Sequence, residues 1–217
     1  MEILYEDKNL LLAVKPAGVL SEDTPGQETM PALLREYLGG GYVGCVHRLD
    51  RIVGGVMLYS KRPEITGKLS ALVADHHFTK EYLAVVQGVP AEPSGTFTDL
   101  LFKDSSRNKS FVVHRMRKGV KEAVLHYQLL ETVERDGQPW SLVKIALETG
   151  RSHQIRVQFS SRKMPLMGDG KYGSRINLDG IALWSYHIAF TAPDGKKVDG
   201  RCLPKGYTWE LFSVSIE

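Results

Sequence analysis

The feature that most constrains the fold is a pair of β-forming runs separated by a short turn. "AVLHYQLLETV" (123–133) and "WSLVKIALE" (140–148) flank the turn sequence "ERDGQP". In the second run Val143, Ile145 and Leu147 alternate with other residues, which gives a strand one apolar face. An Asp-Gly pair between two such runs is a strong hairpin signal. We therefore predict an antiparallel hairpin here.

Other segments predict more strands and a few helices. The remaining strand signals cover residues 9–15, 54–61, 80–88, 181–190 and 207–214. Helical spacing covers 31–38, 63–77 and 152–163, with Ser152 as a candidate N-cap of the last helix. No repeat or linker interrupts the pattern. We predict an α+β fold, a mixed, mostly antiparallel β-sheet core with flanking helices, in a single domain over residues 1–217.

Composition and cysteine use exclude several classes of protein. The 217 residues include two cysteines, Cys45 and Cys202, without metal-ligand or disulfide-scaffold spacing. The N-terminus is not a signal peptide, and no run reaches the roughly 20 apolar residues of a membrane span. We expect no disulfide, no membrane association and a cytoplasmic location.

The charge is unevenly distributed along the chain. Residues 103–121 carry seven Lys or Arg and one acid, a net charge of +6, whereas the whole chain has only +3. A local basic segment on a nearly neutral protein suggests contact with a polyanion. The alternative is a solvated basic loop.

The first candidate for chemistry is Asp50 in "VHRLDRIVGG" (46–55). It follows a predicted strand over 43–49, stands between Arg48 and Arg51, and precedes two glycines. Neighbouring guanidinium groups favour an ionised carboxylate, which acts as a nucleophile or a general base. The alternative is a salt-bridged surface turn.

Two further stretches hold candidate binding residues. In "ETGRSHQIRVQF" (148–159), Arg151 stands where a strand ends and a helix begins, so it could hold a phosphate or pair with Asp50. Tyr82, inside the 80–88 strand, is either a core residue or a platform for a base. His153 reads most simply as a partly buried histidine.

Cofactor and metal motifs are not indicated. "MPLMGDGKYG" (164–173) is a glycine-rich loop that fits neither the phosphate-binding nor the dinucleotide pattern. Cys45, His47 and Asp50 could be read as metal ligands, but His76 and His77 are adjacent rather than one turn apart, and the sequence has no HExxH motif. We expect no cofactor and no metal.

Taken in order, these motifs resemble the RluA-type pseudouridine synthase family. The ordered set is "LLLAVKPAGVL", "VHRLDRIVGGVMLYSK", "KEYLAVVQG", "ETGRSHQIRVQF" and "MGDGKYG", and the resemblance covers roughly residues 2 to 190. No S4-type RNA-binding module is visible. The resemblance implies the pseudouridine synthase fold and the isomerisation of uridine to pseudouridine in ribosomal or transfer RNA, without cofactor or metal.

The resemblance also implies roles for individual residues. Asp50 matches the catalytic aspartate, Tyr82 the tyrosine that stacks on the base, and Arg151 the basic residue that pairs with the aspartate. Arg48 matches an arginine that fills the space left by the flipped nucleotide, and Ile155 an apolar position of the base pocket. For the RNA backbone, the basic segment offers Arg107, Lys109, Arg115, Arg117 and Lys118.

Some positions depart from the family pattern, and two other functions compete. Val53 stands where the family usually has Thr, and Gln158 where it often has His; these changes bear on which RNA is bound. One competing function is a non-catalytic RNA-binding protein on the same fold. The other is a metal-dependent phosphoesterase using His47, Asp50 and His153. A monomer is the default expectation.

Overall fold

A computed structural model describes residues 2–74, 78–135, 137–178 and 180–216. The strands are β1 (Ile3–Glu6), β2 (Leu10–Lys15), β3 (Gly44–Cys45), β4 (Gly54–Ser60), β5 (Phe78–Gln87), β6 (Ser94–Asp104), β7 (Lys109–Val113), β8 (Val120–Arg135), β9 (Gln138–Leu147), β10 (Leu183–Thr191) and β11 (Lys197–Arg201). The helices are α1 (Met30–Tyr37), α2 (Pro63–Ala74), α3 (Gln154–Ser161) and α4 (Tyr207–Glu210), with a short 3-10 helix η1 (Gly170–Tyr172).

The chain divides into two compact units. The first contains Met1–Lys80 and Trp184–Pro204, and the second Glu81–Leu183 and Lys205–Glu217. The divisions between them fall inside β5, inside β10 and between β11 and α4. That the whole of 1–217 acts as a single domain stays a prediction.

The first unit contains a mixed sheet covered by helix α2. Strand β2 lies between β1 and β4 and pairs antiparallel with both, whereas β10 pairs parallel with β4. Short β3 pairs with β4, and β11 with β10. All seven residues of β4 are buried. Leu69 of α2 is buried in the same apolar cluster as Leu58 of β4, with Ile65 and Leu72 packed against it.

The second unit contains an antiparallel sheet in the order β5, β9, β8, β6, β7. The pairing of β8 with β9 confirms the predicted hairpin, apart from residue 136, which lies outside the described residues. Helix α3 packs Phe159 against the ring of Phe97 on β6 at 5.1 Å between centroids. Residues 154 to 159 of α3 are all buried.

Most sequence-predicted elements are confirmed, with adjusted ends, and the fold class is confirmed as α+β. The last predicted strand is wrong, because residues 207–210 form α4 and 211–216 form no strand. The strand predicted over 43–49 is reduced to the two residues of β3. The end of the 63–77 helix, residues 75–77, lies outside the described residues. Among the described residues, no helix is long and apolar enough to cross a membrane.

Candidate active site

The loop that carries Asp50 runs from β3 to β4 and is fixed on both sides of the carboxylate. Before it, Ser21 donates from its hydroxyl to the Leu49 carbonyl at 2.8 Å and accepts from the Leu49 amide at 3.0 Å. After it, the Gly18 amide donates to the Arg51 carbonyl at 2.8 Å, and Arg51 Nε donates to the Gly18 carbonyl at 2.8 Å. The segment after β2 therefore holds the backbone on either side of the half-buried Asp50.

A buried lysine supplies positive charge beneath this loop. The side chain of Lys15 is fully buried, and its Nζ donates to the carbonyls of Pro16, Val19 and Arg51 at 2.9, 2.7 and 3.1 Å. Burial lowers the pKa of Lys15 to about 8, the Asp50 carboxylate opposes that shift, and Arg51 adds to it. Lys15 therefore interacts electrostatically with Asp50 while it holds the loop.

The paired glycines behind Asp50 are required by the close approach of β10. A Cβ on Gly54 would overlap the indole ring of Trp184, and one on Gly55 would overlap the Ser185 carbonyl. Gly55 also has a φ of 120°, which side-chain-bearing residues rarely adopt. The glycines therefore allow the parallel pairing of β4 with β10 just where the Asp50 loop enters the sheet.

Arg48 lies at the surface of the same loop. Its guanidinium donates to Glu22 Oε1 at 2.9 Å, and 64% of its side chain is exposed. This arrangement agrees with an exposed arginine that could move on binding, and its proposed role with a flipped nucleotide stays a prediction.

Two neighbours of Asp50 that could suggest other chemistry are engaged in structural contacts. Nε2 of His47 accepts from the Leu58 amide at 3.0 Å, and burial lowers the pKa of His47 to about 4, with a smaller effect of Lys80. Burial raises the pKa of Cys45 to about 12, so its thiol stays protonated near neutral pH. Cys45 carries a free thiol. In the described part of the chain no three His, Cys, Asp or Glu residues form a group that could hold a metal ion.

In the second unit, the structure places two of the predicted substrate-binding residues in buried positions. Tyr82 lies on β5 opposite Ile145 of β9 and is 6% exposed. Ile155 lies in the first turn of α3 and is 4% exposed. Both positions agree with walls of a base pocket, and both roles stay predictions.

Arg151 lies in the turn between β9 and α3, and that turn is held by a glutamine that sequence reasoning missed. Gln154 Oε1 accepts from the Arg151 amide at 2.9 Å and from the Thr149 hydroxyl at 2.8 Å, while its Nε2 donates to the Val124 carbonyl at 3.0 Å. Arg151 Nε donates to the Glu122 carbonyl at 2.7 Å. The turn is thus tied to β8, which orients Arg151. Its pairing with Asp50 stays a prediction.

The start of α3 differs from the prediction. Ser152 is not its N-cap: the helix begins at Gln154, and the preceding His153 has a left-handed φ of 55° and makes no side-chain cap bond. His153 Nδ1 lies 2.8 Å from the hydroxyl of Tyr172, which also accepts from the Ser110 amide at 2.8 Å. The contact of His153 with Tyr172, 19 residues away in sequence, therefore fixes this turn. A local cap pattern cannot reveal such a contact.

The glycine-rich loop 164–173 contributes a buried ion pair beside the same tyrosine. Arg156 of α3 forms two hydrogen bonds to Asp169, at 2.7 and 2.9 Å, and both side chains are buried. The Arg156 guanidinium lies 5.0 Å from the ring centroid of Tyr172. Because removing one member of a buried ion pair is costly, this pair fixes the loop to α3.

The five predicted RNA-backbone residues occupy a β-hairpin and the loop that follows it. Residues 114–119, which include Arg115, Arg117 and Lys118, form an exposed loop between β7 and β8. Arg107 is exposed beside Asp104 at 3.7 Å, and the Arg117 guanidinium covers the Phe102 ring at 4.9 Å. Lys109 instead is half-buried, with its Nζ donating to the Lys171 carbonyl at 2.7 Å. Four of the five thus face solvent, and their role at the RNA backbone stays a prediction.

The two departures from the family pattern lie in the interior. Val53 is 2% exposed and Gln158 is fully buried. Gln158 Nε2 donates to Asp99 Oδ2 at 2.8 Å, and Asp99 also pairs with Arg162 at 2.8 Å. Both side chains are therefore buried, and the bearing of these two differences on which RNA is bound stays a prediction.

Comparison with known proteins gives consistent matches along the chain. Residues 9–161 match the family model described as RNA pseudouridylate synthase. The chain is 32% identical over 220 residues to ribosomal large subunit pseudouridine synthase D of Zymomonas mobilis, covering 92% of this chain and 68% of that protein. It is 33% identical over 204 residues to the uncharacterized RNA pseudouridine synthase YlyB of Bacillus subtilis, covering 89% and 65%. The chain thus spans about two thirds of the length of these relatives.

A solved structure supports the fold. The human RNA pseudouridylate synthase domain containing 1 superimposes with a TM-score of 0.78 at 22% identity, covering 93% of this chain and 82% of that one. At this identity the likeness concerns the fold alone.

Proposed function

The chain belongs to the RNA pseudouridylate synthase family, and we propose that it converts uridine to pseudouridine in ribosomal RNA with Asp50 as its catalytic carboxylate. The observation that carries the proposal is the family match over residues 9–161, which includes the whole Asp50 loop. Ribosomal RNA is chosen because the relative from Zymomonas mobilis is named for the ribosomal large subunit.

The reaction requires a carboxylate held in one position. The N1–C1′ bond of the nucleotide breaks, a C5–C1′ bond forms, and the C5 proton is replaced by a proton on N1. No electrons are gained or lost. Asp50 either attacks the sugar or removes a proton, and both roles need its ionised form. Its loop is held by Ser21, Gly18 and Lys15, which limits the positions that the carboxylate can take.

The other predicted residues would take part in binding the RNA and the flipped uridine. A stacked base cannot rotate, so the uridine must be flipped out at a cost of a few kcal/mol. Tyr82 and Ile155 would contact the flipped base, and Arg151 would pair with the aspartate. Arg48 would occupy the gap in the RNA. The exposed basic loop 114–119 would contact phosphates, and favourable ionic contacts would offset the cost of flipping.

The proposal is tested with Asp50→Asn, which keeps the size of the side chain and removes its charge. We expect RNA binding to persist and pseudouridine formation to fall by about 10²–10⁴-fold or more, the range for losing an acid or base group. Pseudouridine in large-subunit RNA is measured by mass spectrometry. Asp194→Asn, in an exposed turn, is the matched control and keeps full activity. Normal turnover by the Asp50 variant would refute the assignment.

The RNA target is identified by mapping pseudouridines in total RNA from cells with and without the gene. Sites that disappear from the large-subunit RNA would support the proposal. Sites lost only from transfer RNA would show that the substrate is transfer RNA instead of ribosomal RNA. The cytoplasmic location and the monomeric state stay predictions, and light scattering of the purified protein tests the second.

A further inference from the structure

A cavity of about 490 Å³, open to solvent, lies at the surface of the second unit, beside β7, the last turns of α3 and helix η1. Cavities that hold small molecules commonly measure about 300–1,000 Å³, so this one has room for a nucleotide. None of the predicted substrate-binding residues Tyr82, Arg151 and Ile155 lines it. Val157, which does, follows Ile155 by two residues and so lies about 200° further around α3.

The cavity presents an aromatic and apolar surface. Phe111 and Val112 of β7 line it together with Val157 of α3 and Tyr172 of η1. Phe111 is only half-buried, so this lining residue is partly accessible to solvent. Aromatic rings of this kind stack on unpaired nucleobases in proteins that bind single-stranded RNA.

The charge of the cavity is positive. Lys109 and Lys171 line it, and no carboxylate is among its lining residues, all of which the structure describes. The Nζ of Lys109 lies 5.8 Å from the ring centroid of Phe111 and 5.0 Å from that of Tyr172. It donates one hydrogen bond, to the Lys171 carbonyl, although an ammonium group has three donors. A phosphate could therefore bind next to the aromatic wall.

The tyrosine wall is already fixed without a ligand. The Tyr172 hydroxyl is bonded to the Ser110 amide and lies 2.8 Å from His153 Nδ1. The guanidinium of Arg156 and the ammonium of Lys109 each lie 5.0 Å from the centroid of the Tyr172 ring. A preformed wall lowers the entropy cost of binding.

We propose that this cavity binds one nucleotide of the RNA substrate other than the uridine that is isomerised. The base lies against Phe111, and its phosphate contacts Lys109 and Lys171. The inference rests on the proposed function, because it takes RNA as the ligand. It assigns to the cavity a flanking nucleotide in an unpaired part of the RNA, since a stacked and paired base could not enter.

The binding test uses three variants and salt titrations. Phe111→Ala should weaken binding of the substrate RNA by about 5-fold to 100-fold, the range for losing one stacked base, and Phe111→Tyr should restore it. Lys171→Gln should weaken binding and reduce the slope of log K against log salt by about 0.7, the value for one phosphate of a single strand. Lys205→Gln, exposed in the same unit and outside the cavity, is the control with unchanged affinity at moderate salt. Thermal unfolding checks that each variant is folded.

A crosslinking experiment locates the nucleotide directly and does not depend on any variant. RNA carrying 4-thiouridine is irradiated with the wild-type protein, and modified peptides are identified by mass spectrometry. We expect crosslinks within 109–113 or 170–173. Wild-type affinity of Phe111→Ala and Lys171→Gln, or the absence of crosslinks in these segments, would overturn the proposal. Loss of uridine monophosphate binding in these variants, with RNA affinity unchanged, would instead assign the cavity to a free nucleotide.

The two proposals can fail separately. If the wild-type protein forms pseudouridine but the cavity variants bind RNA normally, only the subsite is wrong. If the wild-type protein binds RNA through the cavity but forms no pseudouridine in any RNA, only the proposed function is wrong.

Discussion

The ammonium nitrogen of Lys15 lies 3.1 Å from the carbonyl oxygen of Arg51, the residue that follows Asp50. The same nitrogen donates to the carbonyls of Pro16 and Val19, so one buried charge joins the end of β2 to the loop of the candidate catalytic residue. Buried lysines are rare unless they are paired. Here three carbonyl dipoles and the nearby Asp50 carboxylate stabilise the charge.

Lys15→Met should therefore be damaging, although methionine is similar in size and apolar. It removes three charge-assisted hydrogen bonds, each worth about 1.5–3 kcal/mol, and leaves buried carbonyls without their donor. We expect the free energy of unfolding in urea to fall by about 3 kcal/mol or more. Lys68→Met, at an exposed position of α2, should change it by less than about 0.5 kcal/mol. Equal stability of the two variants would show that Lys15 does not hold the loop.

His47 should make stability depend on pH. Burial lowers the pKa of His47 to about 4 from its usual 6.5, and the charge of Lys80 adds to the shift. Between these two values the unfolded chain binds a proton that the folded protein does not. Stability should therefore fall as the pH is lowered from 6.5 towards 4.

The pH dependence is measured by urea unfolding at several pH values in this window. His47→Gln keeps an acceptor for the Leu58 amide but does not titrate, so its stability should vary less with pH than that of the wild type. His114→Gln, in the exposed loop before β8, should keep the wild-type dependence. The same dependence in all three proteins would assign the effect to other groups.

The sequence predicted β2, β4, β5, β8, β9 and β10 because alternating and continuous apolar runs report directly on burial, whereas β1, β6, β7 and β11 were not predicted. Its one wrong strand, 207–214, shows where this fails. "YTWELFSV" is rich in β-forming residues, but the carboxylate of Glu131 on β8 accepts from the amides of Ser213 and Val214, at 2.7 and 2.8 Å. These bonds occupy the backbone amides that a strand would pair. Local propensity cannot anticipate such a tertiary contact.

The residues of the candidate site also fall into two groups: those that local sequence indicates and those that only the folded chain reveals. Asp50, Tyr82 and Arg151 stand in recognisable motifs, which is why the sequence indicates them, and their roles stay predictions. Lys15 and Gln154 act through carbonyls and amides of other segments, and nothing in their immediate neighbours indicates this. A lysine before Pro16 looks like an exposed strand end, and only the folded chain shows it buried.

Gly55 is required by backbone geometry, and Gly55→Ala tests this. The alanine methyl would overlap the Ser185 carbonyl, and the φ of 120° is strained for alanine. Overpacking costs about 1–3 kcal/mol and an unfavourable backbone conformation about 1–2 kcal/mol more, so we expect a loss of about 3 kcal/mol or failure to fold. Gly67→Ala, in α2 with open space around it, should instead stabilise the protein by about 0.5–1 kcal/mol. Thermal unfolding measures the change in stability of each variant. If both variants lost stability, or both gained it, the requirement for glycine at position 55 would be contradicted.

The exposed loop 114–119 should supply phosphate contacts to the RNA. Changing Arg115, Arg117 and Lys118 together to Gln removes three positive charges that no acid in the loop balances. If each contacts a phosphate, the slope of log K against log salt should fall by about 2, since each contact contributes about 0.7–0.9. The matched control changes Lys196, Lys197 and Arg201 to Gln around β11, where Lys196 and Arg201 lie beside acids, each 3.7 Å away. Titration of labelled substrate RNA at several salt concentrations measures both slopes. An equal fall of the slope in both variants would mean that the charges act only by long-range attraction. A fall confined to the variant of loop 114–119 would place the RNA backbone against this loop.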